Sequence, residues 1–147
     1  MLVSALQFRD RADCIDAAAI AGAARSSLIE ELETWPKPGL VSHVDCGAHD
    51  DMDANTLRLS IEAITPYFVA LAQAGAQGAA MGRLRVIGLE AEAAMMRATG
   101  TVNTHRGTIF GMGLLCAAAC TIAKTGALTV AVQQQVFHAP TRLGCPL

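Results

Sequence analysis

The 147-residue sequence has few aromatic residues and little net charge of either sign. It contains four phenylalanines, one tyrosine and one tryptophan, and it lacks long β-branched runs, which argues against an all-β fold. The formal net charge of -2 lacks the basic excess of a nucleic-acid-binding protein, so we expect no nucleic-acid partner. The hydrophobic fraction of 52% excludes a disordered chain, because that much apolar surface can offset chain entropy.

The sequence also lacks the marks of a secreted or membrane-spanning protein. Its five cysteines form no CxxC pair, and their odd number does not complete a disulfide framework. Residues 1–10 show no signal peptide, which predicts a cytoplasmic protein. The apolar stretch Thr108–Ala123 is shorter than the about 20 residues that a membrane span needs. We therefore expect no membrane contact, a buried core helix at this stretch, and Cys116 and Cys120 as small core residues.

Alanine is abundant, which favours closely packed helices. Apolar periodicity predicts a compact all-α bundle with helices at residues 12–32, from about residue 56, at 83–98 and at 108–123. Asp10 is expected to cap the first helix, and Pro66 to kink the second. A short apolar segment follows at Ala127–Val136. One face of the second helix is predicted to be buried through Leu57, Ile61, Ile64, Phe68 and Leu71.

Acidic residues concentrate from Glu30 to Asp53, a segment that runs from the end of the first predicted helix to the start of the second and in which Lys37 is the single Lys or Arg. Two interpretations stay open: a solvated loop, or a hard-cation site, since Mg²⁺ takes carboxylate oxygens and phosphates. In a helix, Asp51 and Asp53 point about 200° apart, so one ion needs a turn between them. The segment holds seven of the 13 acidic residues: Glu30, Glu31, Glu33, Asp45, Asp50, Asp51 and Asp53.

A second polar loop directly precedes the fourth predicted helix. Its backbone amides and the Asn103–Arg106 side chains suit a phosphate or another anion. Equally open is an ordinary capped helix, with Thr104 or Thr108 as the cap and an exposed His105. The loop is not a Walker A motif, because GxxxxGK[ST] does not occur in the sequence. On the third helix, Glu92 is the expected inward carboxylate, while Glu90 faces solvent.

Four ordered blocks carry a resemblance to a known family. They are Glu31 with Pro36–Val41, Gly47–Met52, Ile87–Gly88 with Glu92 and Met95, and Thr99–Phe110. Together they closely resemble triphosphoribosyl-dephospho-CoA synthase, over about residues 28–119. The resemblance implies an all-helical enzyme that joins ATP to the 2′-hydroxyl of 3′-dephospho-CoA and releases adenine. The product is the prosthetic-group precursor of citrate lyase or malonate decarboxylase.

The resemblance also implies roles for the site residues. Carboxylates stabilise the oxocarbenium-like ribose of ATP, a base takes the proton of the incoming hydroxyl, and Mg²⁺ screens the triphosphate. Both polar loops are then expected to meet in one cleft, with Asp51 and Glu92 near the Asn103–Arg106 segment. The implied catalytic residues are His49, Asp51 and Glu92; the Mg²⁺ ligands are Glu31, Asp51 and Asp53; the nucleotide-binding residues are Lys37, Gly39, Asn103, Thr104, His105 and Arg106.

The chain departs from the family pattern in three residues and in length. Trp35 stands where threonine is usual, Ser42 where aspartate is usual, and Thr101 where a second glycine is usual. Family members are much longer, so residues 1–147 are expected to form one partial helical domain, the N-terminal part of a larger one, with an atypical tail at 127–147. We expect such a chain to form a homodimer or to bind a complementary C-terminal half.

Two other classes of function stay open. The first is a truncated, non-catalytic helical fragment that binds nucleotide or a partner chain. The second is an unrelated metal-dependent hydrolase built on the acidic loop, which the four ordered blocks argue against. Adenine release that needs no acceptor distinguishes this hydrolase from the synthase.

Overall fold

The computed structural model describes residues 4–124, with side chains from residue 17 to residue 123. Within this part the chain forms four helices and no strand: α1 (Ser4–Glu33), α2 (Ala54–Ala76), α3 (Met81–Ala98) and α4 (Arg106–Lys124). The predicted all-α fold is confirmed. The predicted segment Ala127–Val136 and the tail at 127–147 lie outside the described residues.

The central helix is α2, which packs against the other three helices. Its predicted apolar face is confirmed, because all five residues of that face are buried. The facing side of α1 is lined by alanine near its middle and by leucine near its end, so the two helices can approach closely. The buried residues on α1 are Ala17, Ala21, Ala24, Leu28 and Leu32, and those on α3 are Ile87, Gly88, Ala91 and Met95.

Helix boundaries differ from the prediction at the start of α1. This helix begins at Ser4, so Asp10 lies inside it, and the prediction that Asp10 caps the helix is wrong. An aspartate can cap a helix but does not stop one, and here the helix continues on its N-terminal side. Helix α2 runs through Pro66, which lies on the exposed surface.

The α2–α4 crossing depends on small residues. A Cβ atom on Gly75 would collide with the backbone of Ala117, and one on Gly113 would lie 2.7 Å from Leu71 Cδ1. The Thr121 hydroxyl lies 2.8 Å from the carbonyl oxygens of both Gly75 and Ala117. The two backbones are therefore in direct contact at the C-terminal end of α2.

Helix α4 has one buried face and one exposed apolar face. The buried face includes Cys116 and Cys120, as predicted, whereas Phe110, Leu114 and Leu115 are exposed. The expectation of a buried core helix therefore holds for one face only in the described part of the chain. By length and composition, the Arg106–Ala123 window, with a mean hydropathy of 1.5 and 28% of its residues buried, could also cross a membrane. Core helices of soluble proteins have the same properties, so this is weak support for a span.

Candidate functional site

The second loop, residues 99–105, leaves α3 through two consecutive left-handed residues. Gly100 has φ 63° and Thr101 has φ 75°, and the Thr101 amide donates to the Met96 carbonyl at 2.7 Å. The Thr99 hydroxyl lies 2.6 Å from the Val102 carbonyl oxygen, which closes the turn. Because β-branched residues rarely adopt positive φ, Thr101 occupies a position that favours glycine. The positive φ of Thr101 thus fits the glycine expected here from the family resemblance.

The N-terminus of α4 is capped by Asn103 rather than by Thr104 or Thr108. Asn103 Oδ1 accepts a hydrogen bond from the Arg106 amide at 3.2 Å. The first helical carbonyl is that of His105, which accepts from the Ile109 amide at 2.8 Å. The ordinary-cap interpretation is therefore wrong in its choice of cap. The remaining amides of the first turn point away from the helix, as an anion site requires.

His105 is buried, not exposed. Its side chain is packed in the core, and the Ser60 hydroxyl lies 2.7 Å from Nδ1. Ser60 also lies 2.7 Å from the Thr104 hydroxyl, and the His105 amide is 3.1 Å from the Met95 sulfur. Burial lowers the pKa of His105, although the nearby charge of Glu31 partly opposes this shift. Burial therefore favours the neutral form of the ring.

Glu92 and Arg106 form the charged part of the site. Glu92 Oε1 lies 2.6 Å from an Arg106 guanidinium nitrogen, which joins α3 to the first residue of α4. The Glu92 side chain is half-buried, whereas half of the Arg106 side chain remains exposed. This confirms the expectation that Glu92 faces the second loop. The arginine can still donate hydrogen bonds to a ligand, because one carboxylate uses only part of its five N–H groups.

Lys37 lies at the start of the first loop, residues 34–53, and pairs with Glu31. Its ammonium nitrogen is 2.8 Å from Glu31 Oε1 and 2.7 Å from the Glu31 carbonyl oxygen. Two of its three donors are therefore used within the protein. Gly39 adopts φ 79°, and its carbonyl accepts from the Ala48 amide at 3.2 Å. Lys37 and Gly39 line an open cleft of about 450 Å³.

The acidic segment at residues 49–53 is not helical: Asp50 and Asp51 lie in a bend, and no turn is assigned between Asp51 and Asp53. Asp51 Oδ1 lies 3.6 Å from His49 Nδ1. Asp53 caps α2, since its carboxylate accepts from the Thr56 amide at 2.7 Å and from the Thr56 hydroxyl at 2.8 Å. These bonds lower the pKa of Asp53. Among the side chains that the structure describes, those of residues 17–123, no group of three His, Cys, Asp or Glu is arranged to hold a metal ion.

The predicted site residues thus fall into two groups. Glu92, His105 and Arg106 gather around the start of α4, and Glu31 is close enough for its charge to act on His105. In the described part of the chain, the ion pairs and side-chain hydrogen bonds of Asp51 and Asp53 remain within residues 49–56. Glu31 belongs to α1 and not to the first loop, so the convergence of the two loops, with Asp51 in a shared cleft, stays a prediction.

The sequence did not point to Ser60 as a member of the site. It lies on the apolar face of α2 and is completely buried, so its position resembles that of a core residue. A serine inside an otherwise apolar stripe was the available signal, because a buried hydroxyl needs a partner.

Comparisons with known proteins identify relatives of this sequence. Residues 17–143 match the CitG family, described as ATP:dephospho-CoA triphosphoribosyl transferase. The chain is 48% identical over 107 residues to a probable 2-(5''-triphosphoribosyl)-3'-dephosphocoenzyme-A synthase of Albidiferax ferrireducens, covering 69% of this chain and 35% of that protein. It is 40% identical over 119 residues to the 2-(5''-triphosphoribosyl)-3'-dephosphocoenzyme-A synthase of Pectobacterium atrosepticum, covering 77% of this chain and 38% of that protein.

Each alignment covers only part of the relative. The chain spans about a third of the length of the curated relatives it matches. No solved structure matches it significantly. The family match extends over most of the sequence and includes α2, α3, α4 and both loops. The chain therefore belongs to the ATP:dephospho-CoA triphosphoribosyl transferase family.

Proposed function

We propose that this chain carries the nucleotide-binding part of a triphosphoribosyl-dephospho-CoA synthase. In the proposed reaction, the bond between the ribose and the adenine of ATP breaks, and the 2′-hydroxyl oxygen of 3′-dephospho-CoA bonds to the same ribose carbon. A base takes the hydroxyl proton, and the departing adenine takes up one proton at the nitrogen that was bonded to the ribose, so the protons balance. The triphosphate stays on the transferred ribose, so it is a handle for binding and not a leaving group.

The observation that carries this proposal is the cluster at the start of α4. Arg106, the amides of the first helical turn and the buried ring of His105 provide donors for a polyanion. Glu92 lies directly beside them, 2.6 Å from Arg106. A carboxylate next to a phosphate-binding group is the pairing that this reaction needs, because positive charge develops on the ribose close to the triphosphate.

Mg²⁺ is proposed as a companion of ATP. The site residues fit an ion that arrives on the triphosphate, since Mg²⁺ is usually held by one or two carboxylates together with phosphates and water. The Asp51 carboxylate is exposed and supports such a contact. Glu31 is engaged with Lys37 and Asp53 with Thr56, which argues against a preformed three-carboxylate cage. We also propose a cytoplasmic protein, which the free thiols of Cys46 and Cys116 support.

Adenine release tests the proposal. The chain is incubated with ATP, Mg²⁺ and 3′-dephospho-CoA, and adenine is measured by chromatography while calorimetry measures Mg·ATP binding. We expect adenine to appear in a one-to-one ratio with consumed acceptor. Arg106→Ala should lower Mg·ATP affinity by about tenfold or more, because a charge-assisted hydrogen bond contributes about 1.5–3 kcal/mol.

Arg25→Ala is the matched control, since Arg25 also forms an ion pair with a glutamate, Glu62, between two helices. It should leave Mg·ATP affinity unchanged. If the unmodified chain neither binds Mg·ATP nor releases adenine, the proposal is wrong.

The exposed apolar surface of α3 and α4 supports a second candidate function, the binding of a partner chain without catalysis. Phe110 and Leu114 line an apolar groove of about 360 Å³ that continues onto Met81 and Leu84 of α3. Surfaces of this kind are typical of interfaces. Either a second copy or a complementary C-terminal half could occupy it. This candidate predicts Mg·ATP binding without adenine release, together with self-association in sedimentation experiments that Leu114→Glu abolishes.

A further inference from the structure

We propose that Ser60 is a positioning residue that fixes the tautomer of His105, so that the ring presents its Nε2–H group as a hydrogen-bond donor to an anionic oxygen of the substrate. None of the four sequence blocks that carry the family resemblance contains Ser60. Only the identity of that anion rests on the proposed function; the tautomer does not.

The surroundings of Ser60 limit the acceptors that are available to its hydroxyl proton. Its side chain is completely buried within α2, and its hydroxyl oxygen lies 2.7 Å from both His105 Nδ1 and the Thr104 hydroxyl. Buried serines inside helices often donate to the carbonyl one turn earlier. In residues 4–124 no backbone carbonyl accepts from Ser60, whereas Thr65 on the same helix does bond to Ile61 O at 2.7 Å. The Ser60 proton therefore goes to His105 or to Thr104.

Counting the protons distinguishes these two cases. If Thr104 donates to Ser60 and Ser60 donates to Nδ1, each of the two hydroxyl protons has an acceptor, and the ring carries its proton on Nε2. In the reverse direction, Nδ1–H donates to Ser60 and Ser60 to Thr104, so the Thr104 proton needs another acceptor. The described residues offer Thr104 no such acceptor, so in this direction the proton of the partly buried Thr104 hydroxyl has to go to solvent. The first arrangement satisfies the whole chain of hydrogen bonds.

The second ring nitrogen faces away from this network. No buried side-chain nitrogen or oxygen of the described residues lacks a partner, and the hydrogen bond of the ring within the protein is made at Nδ1. Nε2 therefore keeps contact with solvent, although the residue as a whole is only 7% exposed. His105 is the residue directly before α4. The N-terminus of a helix favours a neutral ring and an anionic ligand.

This assignment separates His105 from proton-transfer chemistry. A neutral ring whose Nδ1 accepts from Ser60 has no free lone pair at Nε2, so it binds an oxygen and does not act as the base that removes the 2′-hydroxyl proton. Ser60 acts only through His105, and Thr104 acts through Ser60.

The tautomer can be measured by NMR in the intact chain labelled with ¹⁵N. Long-range proton–nitrogen correlations distinguish the two ring nitrogens of each of the four histidines, and His105→Gln identifies the His105 signals. We expect a protonated Nε2 and an unprotonated Nδ1. Ser60→Ala should convert this pattern into a mixture of tautomers and weaken Mg·ATP binding about tenfold, as expected for a misoriented hydrogen bond.

Thr65→Ala is the control, because it removes a hydroxyl from α2 outside the network, and it should leave the His105 signals unchanged. A protonated Nδ1 in the unmodified chain would overturn the inference even if Ser60→Ala fails to fold. The expected tautomer without any Mg·ATP binding would instead refute the proposed function, while the role of Ser60 in setting the tautomer would stand. If the chain binds Mg·ATP but His105 is protonated on Nδ1, the role of Ser60 is refuted and the proposed function stands.

Discussion

Replacing Thr101 by glycine should stabilise this protein. Thr101 has φ 75°, a left-handed conformation that costs an L-residue about 1–2 kcal/mol. Glycine removes that cost but adds conformational freedom to the unfolded chain, which offsets about 0.4–1 kcal/mol. The Thr101 side chain is exposed, so little packing is lost. The net gain is about 0.5–1 kcal/mol, or about 2–3 °C in the midpoint of thermal unfolding.

The assay is urea unfolding followed by circular dichroism, with thermal unfolding as a second measurement. Thr34→Gly is the matched control, because Thr34 is also an exposed loop threonine but has an ordinary φ. It should lower the free energy of unfolding, since it loses its hydrogen bond to the Glu30 carbonyl as well. If Thr101→Gly destabilises the protein as much as Thr34→Gly does, the strain argument fails.

Three further predictions concern packing, charge and pH. Gly75→Ala should lower the free energy of unfolding by about 1–3 kcal/mol, because its Cβ meets the α4 backbone, whereas Gly22→Ala, with open space around it, should raise stability in the same urea assay. Glu92→Gln should tighten Mg·ATP binding up to about fivefold in calorimetry, because it frees Arg106, and it should lower adenine release. An equal loss of Mg·ATP binding and of adenine release would contradict this prediction. The lowered pKa of His105 means that the unfolded chain binds its proton more readily, so stability should fall as pH drops below 6.5, and His105→Gln should reduce this dependence in urea titrations at pH 7.5 and 5.5.

The sequence predicted the helices and their buried faces because these follow from local periodicity. The α2 stripe from Leu57 to Leu71 has helical spacing, and each of its members is buried. The start of α1 was not predicted, because Asp10 has the side chain of a cap but sits in a helix that its neighbours extend. Residue types indicate permitted caps, while the chain on both sides decides which of them is used.

The candidate site was predicted in its composition but only partly in its contacts. Glu92 and Arg106 were expected near each other, because carboxylates and phosphate donors have to meet the same triphosphate, and the structure pairs them. Lys37 was expected on a phosphate, yet it binds Glu31, since the turn after α1 brings its ammonium group back to the end of that helix. Ser60 could not be assigned, because its partners are 44 and 45 residues away in the chain.

The contacts between α2 and α4 have a mechanical consequence. The two helices are joined at one end by the hydroxyl and imidazole groups of Ser60 and His105, and at the other end by the backbone contact of Gly75 with Ala117. Two separated contacts oppose both sliding and rotation of α4 against α2. These contacts oppose movement of the start of α4 against α2, so adjustment to a bound ligand is expected from the first loop and from the exposed Arg106 side chain. The α2–α4 pair thus holds the residues at the start of α4 in place for a bound substrate.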